Sequence, residues 1–232
     1  SLNSRTTGLV GISIGIHEEG CWYIPVGHLN SDGTVAENQL ASEVVKGALM
    51  PFLVSGKVTK IGHNLKFDYS VLKNALDVRL EGPLVDTMIA AYLAEPARRS
   101  FKLDDLCLDM GMKLTSFKEV TAGDKRPDAF AYVPVDKASN YSCEDVFGTL
   151  ALWDNYRNLL EESDQVSLFF DVEMPLLPVL ADMEDAGITL DTGHLDKLAV
   201  EFGARLDELE QEIYQLAGHS FNINSPQQLG TV

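Results

Sequence analysis

Ile61-Gly62-His63-Asn64-Leu65-Lys66-Phe67-Asp68 is the stretch on which the reading of this chain turns. The apolar run from Val58 to Gly62 reads as a short buried strand that passes directly into a helix from Leu65 to Leu76. Along that helix Leu65, Leu72 and Ala75 or Leu76 recur at helical spacing, and Asp68 falls on the same stripe, where an apolar residue would be expected. A carboxylate on a buried face has to be paired, hydrogen-bonded or bound to a cation. The ordinary alternative is an aspartate favoured by the dipole near a helix N-terminus, and on this stretch alone the ordinary reading has the better claim.

Working outward, the chain before this stretch opens with Leu9 to Ile16, a turn at His17-Glu18-Glu19-Gly20, and Cys21 to Val26, which together read as a β-hairpin. A helix is expected over Asn38 to Leu53. After the Asp68 helix, Gly82 to Thr87 gives a short strand leading into a helix from Met88 to Leu93, and Leu103 to Met112 gives another. Thr115 to Val135 is weakly periodic, and Asp136 to Leu160 is a long helix. A hairpin followed by alternating strands and helices predicts a mixed sheet covered by helices, an α/β fold.

Composition removes several function classes. With 232 residues and 45% apolar content the chain can bury a core. No apolar run reaches the roughly 18 residues of a membrane span, and Ser1 is followed by no signal-like segment, so the chain reads as soluble and cytoplasmic, with no membrane partner. Cys21, Cys107 and Cys143 are odd in number and widely spaced, which points to reduced thiols in the core. The five histidines form no zinc-type pair, so any metal would be held by oxygen. From Glu161 onward there are fifteen Asp and Glu against two Lys and Arg, a net −13 of the chain's −17, leaving −4 for residues 1–160. That break points to two units, and an acidic C-terminal segment has no non-specific grip on nucleic acid. There Leu195, Phe202, Leu206, Leu209, Ile213 and Leu216 stripe a long helix from Asp191 or Thr192 to Ala217.

The second informative segment is Asn140-Tyr141-Ser142-Cys143-Glu144-Asp145 in the long helix. Tyr141 and Asp145 stand one turn apart on the same side, while Cys143, Phe147 and Leu150 are expected to anchor the helix to the sheet. Gly148 and Thr149 are expected to keep bulk away from Asp145. Such a pair is common in helices by chance. Joined with Asp68, however, two carboxylates and a phenol suit a hard cation and hydrolytic chemistry.

These segments carry a resemblance. His63-Asn64-Leu65-Lys66-Phe67-Asp68 resembles the second exonuclease motif of family A DNA polymerases, the bacterial DNA polymerase I group, and Tyr141-Ser142-Cys143-Glu144-Asp145 resembles its third, Tyr-x-x-x-Asp. The similarity continues through Val85-Asp86-Thr87-Met88, Leu103-Asp104-Asp105-Leu106 and Thr115 to Val120. It reaches Glu173 to Leu180, Glu184 to Ile188 and Phe221 to Leu229, which resemble the start of the polymerase region and its thumb. The resemblance implies a ribonuclease H-like (DnaQ-like) exonuclease fold over residues 1–162 and the beginning of a helical thumb over 163–232. It implies removal of 3′-terminal nucleotides from single-stranded DNA with two Mg²⁺ or Mn²⁺ ions. Asp145 would ligate metal, Asp68 would reach the second metal through water, and Tyr141 would orient the attacking water. Leu2, Asn64 and Phe117 would contact substrate, with Arg99 and Lys102 as phosphate contacts among the basic residues Arg98, Lys118, Lys125 and Arg126.

The family's first motif, Asp-x-Glu, precedes a Ser-Leu that resembles Ser1-Leu2. The resemblance therefore implies a fragment without that acidic pair and its central strand, which lies between the hairpin and the strand ending at Gly62. It also implies an incomplete metal site, with the palm, fingers and remaining thumb of the polymerase as partner. Two other readings stand beside this one. A degenerate exonuclease fold could serve as a structural platform for a polymerase. A nucleotide-binding α/β module would need a Gly-rich phosphate loop, and neither GxGxxG nor GxxxxGK[ST] is present.

Overall fold

The computed structural model describes residues 8–232. Two strands, β1 (Gly11–Ile16) and β2 (Gly20–Pro25), pair antiparallel from Gly11 opposite Pro25 to Ile16 opposite Gly20. After helix α1 (Ser42–Leu53), strand β3 (Lys60–Gly62) pairs in parallel with β4 (Leu84–Asp86) across helix α2 (Leu65–Leu76). Among the described residues the two ladders are not hydrogen-bonded to each other. The resemblance puts a further strand between them, and the described residues supply none.

Short helices α3 (Thr87–Ala94), α4 (Leu103–Asp109) and α5 (Phe117–Val120) follow. The 28-residue helix α6 (Val135–Glu162) then packs on the hairpin, β3, α3, α4 and α5 and so acts as the spine of the fold. The core gathers Leu65, Tyr69, Val85, Ala90, Ala91, Leu106, Cys107, Leu152 and Leu160 around it. Where α4 crosses α6, Gly148 leaves the room: a Cβ there would lie 2.8 Å from Cys107 Sγ and 3.3 Å from Leu114 Cδ1. Gly148→Ala is therefore expected to lower stability by about 1 to 3 kcal/mol through overpacking, measured by urea unfolding. An unchanged midpoint would mean that α4 moves aside freely.

Several expectations shift. Strand β3 begins at Lys60 and α1 begins at Ser42, because Asn38 takes a left-handed backbone (φ 59°) and Gln39 is held by His28. Ser116 and Glu119 form a reciprocal capping box that starts α5 inside the segment expected to be loop. On α6 it is Val146 and Leu150 that face Gly15 of the hairpin, whereas Phe147 is 62% exposed and anchors nothing. Gly148 clears space for Cys107 and Leu114 rather than for Asp145.

The first compact unit runs through Ala186. A π-helical turn (Leu168–Glu173) and helix α7 (Met174–Ala186) continue into its core, with Phe169, Met174, Leu177 and Ala181 buried and Phe169 stacked on Trp153 at 5.8 Å. Lys73 bonds Asp182 at 2.9 Å and Asp185 at 2.7 Å, Arg79 bonds Asp182 at 3.0 Å, and Lys66 bonds Glu184, which ties α7 to α2 and the turn after it. Packing thus continues past the expected division at residue 162. The second unit, Gly187–Val232, contains α8 (Thr192–Ala217) and α9 (Pro226–Leu229). Asp191 caps α8 by accepting from His194 N, Gly218 closes it in a left-handed conformation, and none of its residues is buried.

Candidate active site

Asp145 and Tyr141 form the core of the site. On α6 the Tyr141 hydroxyl lies one turn from the Asp145 carboxylate, and each acts on the protonation of the other. Asp145 Oδ1 is buried and has no hydrogen-bond partner among the described residues. Burial pushes the Asp145 carboxyl up to about 7; the neighbouring Tyr141 hydroxyl works against this, and the Asp104 and Glu144 carboxylates reinforce it. Burial also raises the Tyr141 phenol, with the Asp145 charge beside it, so the hydroxyl keeps its proton. A buried carboxylate oxygen without a donor is what a cation would satisfy.

Asp104 was not among the site residues read from the sequence. It lies in the first turn of α4, and the packing of α4 on α6 brings its charge to bear on Asp145. Glu144 is turned to a structural task, accepting from Thr115 N at 2.8 Å. Among the described residues no three His, Cys, Asp or Glu side chains converge as a metal cluster. Residues 1–7, Ser-Leu-Asn-Ser-Arg-Thr-Thr, contain no carboxylate side chain. The donor atoms at Asp145 thus fit a hard divalent cation in kind, and they are few in number.

Asp68 sits differently from the expected stripe. Leu65, Tyr69, Val71 and Leu76 make the buried face of α2, while Asp68 is exposed at its surface and Ala75 is exposed as well. Protein atoms nevertheless crowd the Asp68 carboxyl, and this crowding, with the Asp86 charge second, pushes it up to about 7. Its open side to water limits how much of that shift bears on stability. The charge acting on Asp68 is that of Asp86, whereas those acting on Asp145 are Asp104 and Glu144.

Asp86 is what holds the start of α2 in place. Its side chain is 1% exposed, with Oδ1 accepting from Asn64 N at 3.0 Å and Met88 N at 2.9 Å and Oδ2 from Leu65 N at 2.8 Å. One carboxylate therefore caps both α2 and α3. It releases Asn64 from that duty: Asn64 takes a left-handed backbone (φ 59°, ψ 46°), makes no side-chain cap and is exposed. His63 beside it donates from Nε2 to Phe101 O at 2.9 Å, with Nδ1 2.9 Å from the Thr87 hydroxyl, and burial keeps the ring neutral.

Phe117 is 47% exposed and stacks on Phe130, which in turn lies against Tyr141. Arg99 and Lys102 are exposed and make no ion pair among the described residues. By contrast Arg98 is tied to Glu95 and Asp109, and Arg126 holds Asp124 and covers the Tyr132 ring at 4.1 Å, which commits both to the protein. Leu2 lies outside the described residues. A separate apolar cavity of about 320 Å³, lined by Ile61, Val85, Trp153, Leu160 and Phe170, holds none of these groups.

The raised Asp145 pKa has a consequence for stability in the metal-free protein. Between pH 3.8 and about 7 the folded state binds a proton that the unfolded chain has released, so unfolding free energy falls as pH rises through that window. In EDTA the urea midpoint is expected to be lower at pH 8 than at pH 5.5, by the equivalent of about 1 to 3 kcal/mol. Asp145→Asn should reduce the difference, leaving the smaller contribution of the more open Asp68. Equal midpoints for the parent chain would show that the carboxyl is not confined.

An α/β scaffold that sets Asp145 and Tyr141 on one long helix, with Phe117 of α5 and Phe130 beside Tyr141, has the ribonuclease H-like fold. Solved structures share the fold: the polymerase domain of Pol1 from M. smegmatis, in complex with DNA primer-template and dNTP, matches 97% of this chain and 37% of its own at 24% identity and a TM-score of 0.64. Brucella melitensis NrnC with bound Mg²⁺ matches 81% of each chain at 19% identity and a TM-score of 0.59. Residues 1–161 match the 3′-5′ exonuclease family, and the chain belongs to it, in the form carried by DNA polymerase I. DNA polymerase I of Chloroflexus aurantiacus is 37% identical over the whole of this chain, which spans about a quarter (24%) of that relative's length. Among the described residues no helix is long and apolar enough to cross a membrane.

Proposed function

We propose that this chain is the proofreading portion of a cytoplasmic DNA polymerase, taking the 3′ end of single-stranded DNA and hydrolysing its terminal phosphodiester. Residues 1–162 form the exonuclease and 163–232 begin the polymerase region, with the rest of the polymerase as partner. The observation that carries this reading is Asp145, set beside the Tyr141 hydroxyl, with its Oδ1 buried and without a donor among the described residues. A fold kept only as a platform has no use for such an oxygen, because an apolar side chain would stabilise it more.

Asp145 and Asp68 would hold two divalent cations, Mg²⁺ or Mn²⁺, and when bound these supply the positive charge that hydrolysis of a phosphodiester needs. Tyr141, kept protonated, positions the attacking water through its hydroxyl. Phe117 offers a face for the terminal base, and the exposed Asn64, which makes no side-chain cap, offers its amide to the same strand. Arg99 and Lys102 meet backbone phosphates, and they give the salt dependence expected of such contacts.

With two ligating carboxylates, the 232 residues alone hold two cations poorly, since paired ions need more negative oxygens to offset their repulsion. The test is release of 3′ nucleotides from end-labelled single-stranded DNA, with Mg²⁺ or Mn²⁺, by the chain as it stands and by a version carrying an Asp-x-Glu segment fused ahead of Ser1. Chelator-sensitive activity only in the second supports the proposal. Absence of activity in both refutes the nuclease reading.

A further inference from the structure

Phe130 belongs to no motif of the sequence, yet it sits between the two functional rings. It lies in a 3₁₀ turn, Ala129–Tyr132, with its ring centroid 6.2 Å from Phe117 at 20° and 5.6 Å from Tyr141 at 58°. On its other side is His28, at 6.2 Å and 47°. Pairs at such separations hold preferred relative orientations.

His28 is the buried end of this series, 1% exposed and fixed at every polar atom. Nδ1 donates to Val133 O at 2.9 Å, and Nε2 accepts from the Tyr23 hydroxyl at 2.7 Å. Its backbone N–H donates to Gln39 Oε1 at 2.5 Å, and its carbonyl accepts from Ala36 N at 3.0 Å and from Gln39 Nε2 at 2.9 Å. Next to it Leu29 N donates to Ala131 O at 2.8 Å, inside the turn that bears Phe130. The ring is neutral, because burial outweighs the backbone carbonyls that would favour its charge. A rigid anchor thus holds the turn at two backbone positions, and the turn presents Phe130 to both Phe117 and Tyr141. The series runs from the buried His28 through half-buried Phe130 to the open face of Phe117.

We infer that Phe130, held in place by the His28 tether, is a positioning residue that sets the plane of the Phe117 ring for base stacking and the orientation of the Tyr141 hydroxyl towards Asp145. The inference rests on the nuclease reading above and adds to it a residue that touches neither DNA nor the reacting atoms. Without the Phe130 ring, Phe117 has no stacking partner and its exposed side chain samples other rotamers, so the shelf is no longer formed in advance of binding.

The test uses the 232-residue chain in EDTA with a single-stranded DNA oligonucleotide whose 3′-terminal base is 2-aminopurine, a base whose fluorescence falls when it stacks. The parent chain is expected to bind and quench it, and Phe117→Ala to abolish the quenching. Phe130→Leu is expected to reduce the quenching at saturation and to weaken binding by about tenfold, and Phe130→Tyr is expected to restore both. If the Leu variant loses its far-UV circular dichroism, Phe130→Met keeps the volume while removing the ring, and the same loss is expected. A Phe130 variant that melts earlier but quenches as fully as the parent when saturated would overturn the positioning role and leave the nuclease reading standing. A parent chain that neither binds nor quenches the oligonucleotide would overturn both.

Discussion

Asp86→Ala is expected to remove about 2 to 5 kcal/mol of stability, enough to leave the chain partly unfolded if its total lies near the low end of the roughly 5 to 15 kcal/mol that holds a domain together. The reason is the number of donors that depend on one side chain. The backbone N–H groups of Asn64, Leu65 and Met88 all point at its carboxylate, and alanine offers them nothing. The loss is smaller than three separate penalties would give, because Asp86 is itself held above the usual carboxylate range by burial, so its removal also relieves a desolvation cost. Asp86→Asn separates the two contributions. Its amide oxygen can stay where Oδ1 accepts from Asn64 and Met88, while its NH₂ group confronts Leu65 N–H, so the loss should fall between parent and alanine. Urea unfolding followed by circular dichroism gives the comparison. An alanine variant as stable as the asparagine one would show that water replaces the carboxylate at both helix starts.

What the sequence disclosed follows the distance over which each feature is made. Tyr141 and Asp145 are four residues apart on one helix, and the spacing sufficed to place them together. The double cap of Asp86 spans more than twenty residues, so nothing near Asp86 announces that its carboxylate reaches Asn64 and Leu65; the segment reads only as a strand entering a helix. Asp68 falls on the apolar stripe when its helix is considered alone. In the fold the buried face takes in Tyr69 and Val71 as well, and Lys73 on the same helix is drawn to the acidic side chains of α7. The capping box of Ser116 and Glu119 starts the helix that carries Phe117 inside a segment read as weakly periodic, because a single four-residue turn is too short to leave an apolar repeat. Phe130 was not legible either, because its value lies in what packs on either side of it. Arg98 and Arg126 show the same limit among the charges, since only the fold shows them already committed to carboxylates.

Asp145→Ala, in a chain carrying an Asp-x-Glu segment fused ahead of Ser1, is expected to lower 3′ nucleotide release from single-stranded DNA by about 10³-fold or more. That corresponds to the several kcal/mol a correctly held cation contributes to phosphodiester hydrolysis. Tyr141→Phe should cost about 10- to 100-fold, since it removes the hydroxyl that places the water and leaves the ligand in position. Both variants should keep the fold. Asp145→Ala should even melt later than the parent in EDTA at pH 8, because it discards a buried carboxylate whose Oδ1 has no donor among the described residues. That second readout separates a ligand from a structural residue: a structural Asp145 would lose stability on replacement, whereas a ligand would lose activity and gain stability without metal. Added Mg²⁺ gives the reciprocal measurement, stabilising the extended parent at pH 8 by RT ln(1 + [L]/Kd) and stabilising the extended alanine variant less. Digestion by the alanine variant at the parent rate, with the same sensitivity to chelator, would place the metal elsewhere on the chain and leave the buried oxygen of Asp145 without a function.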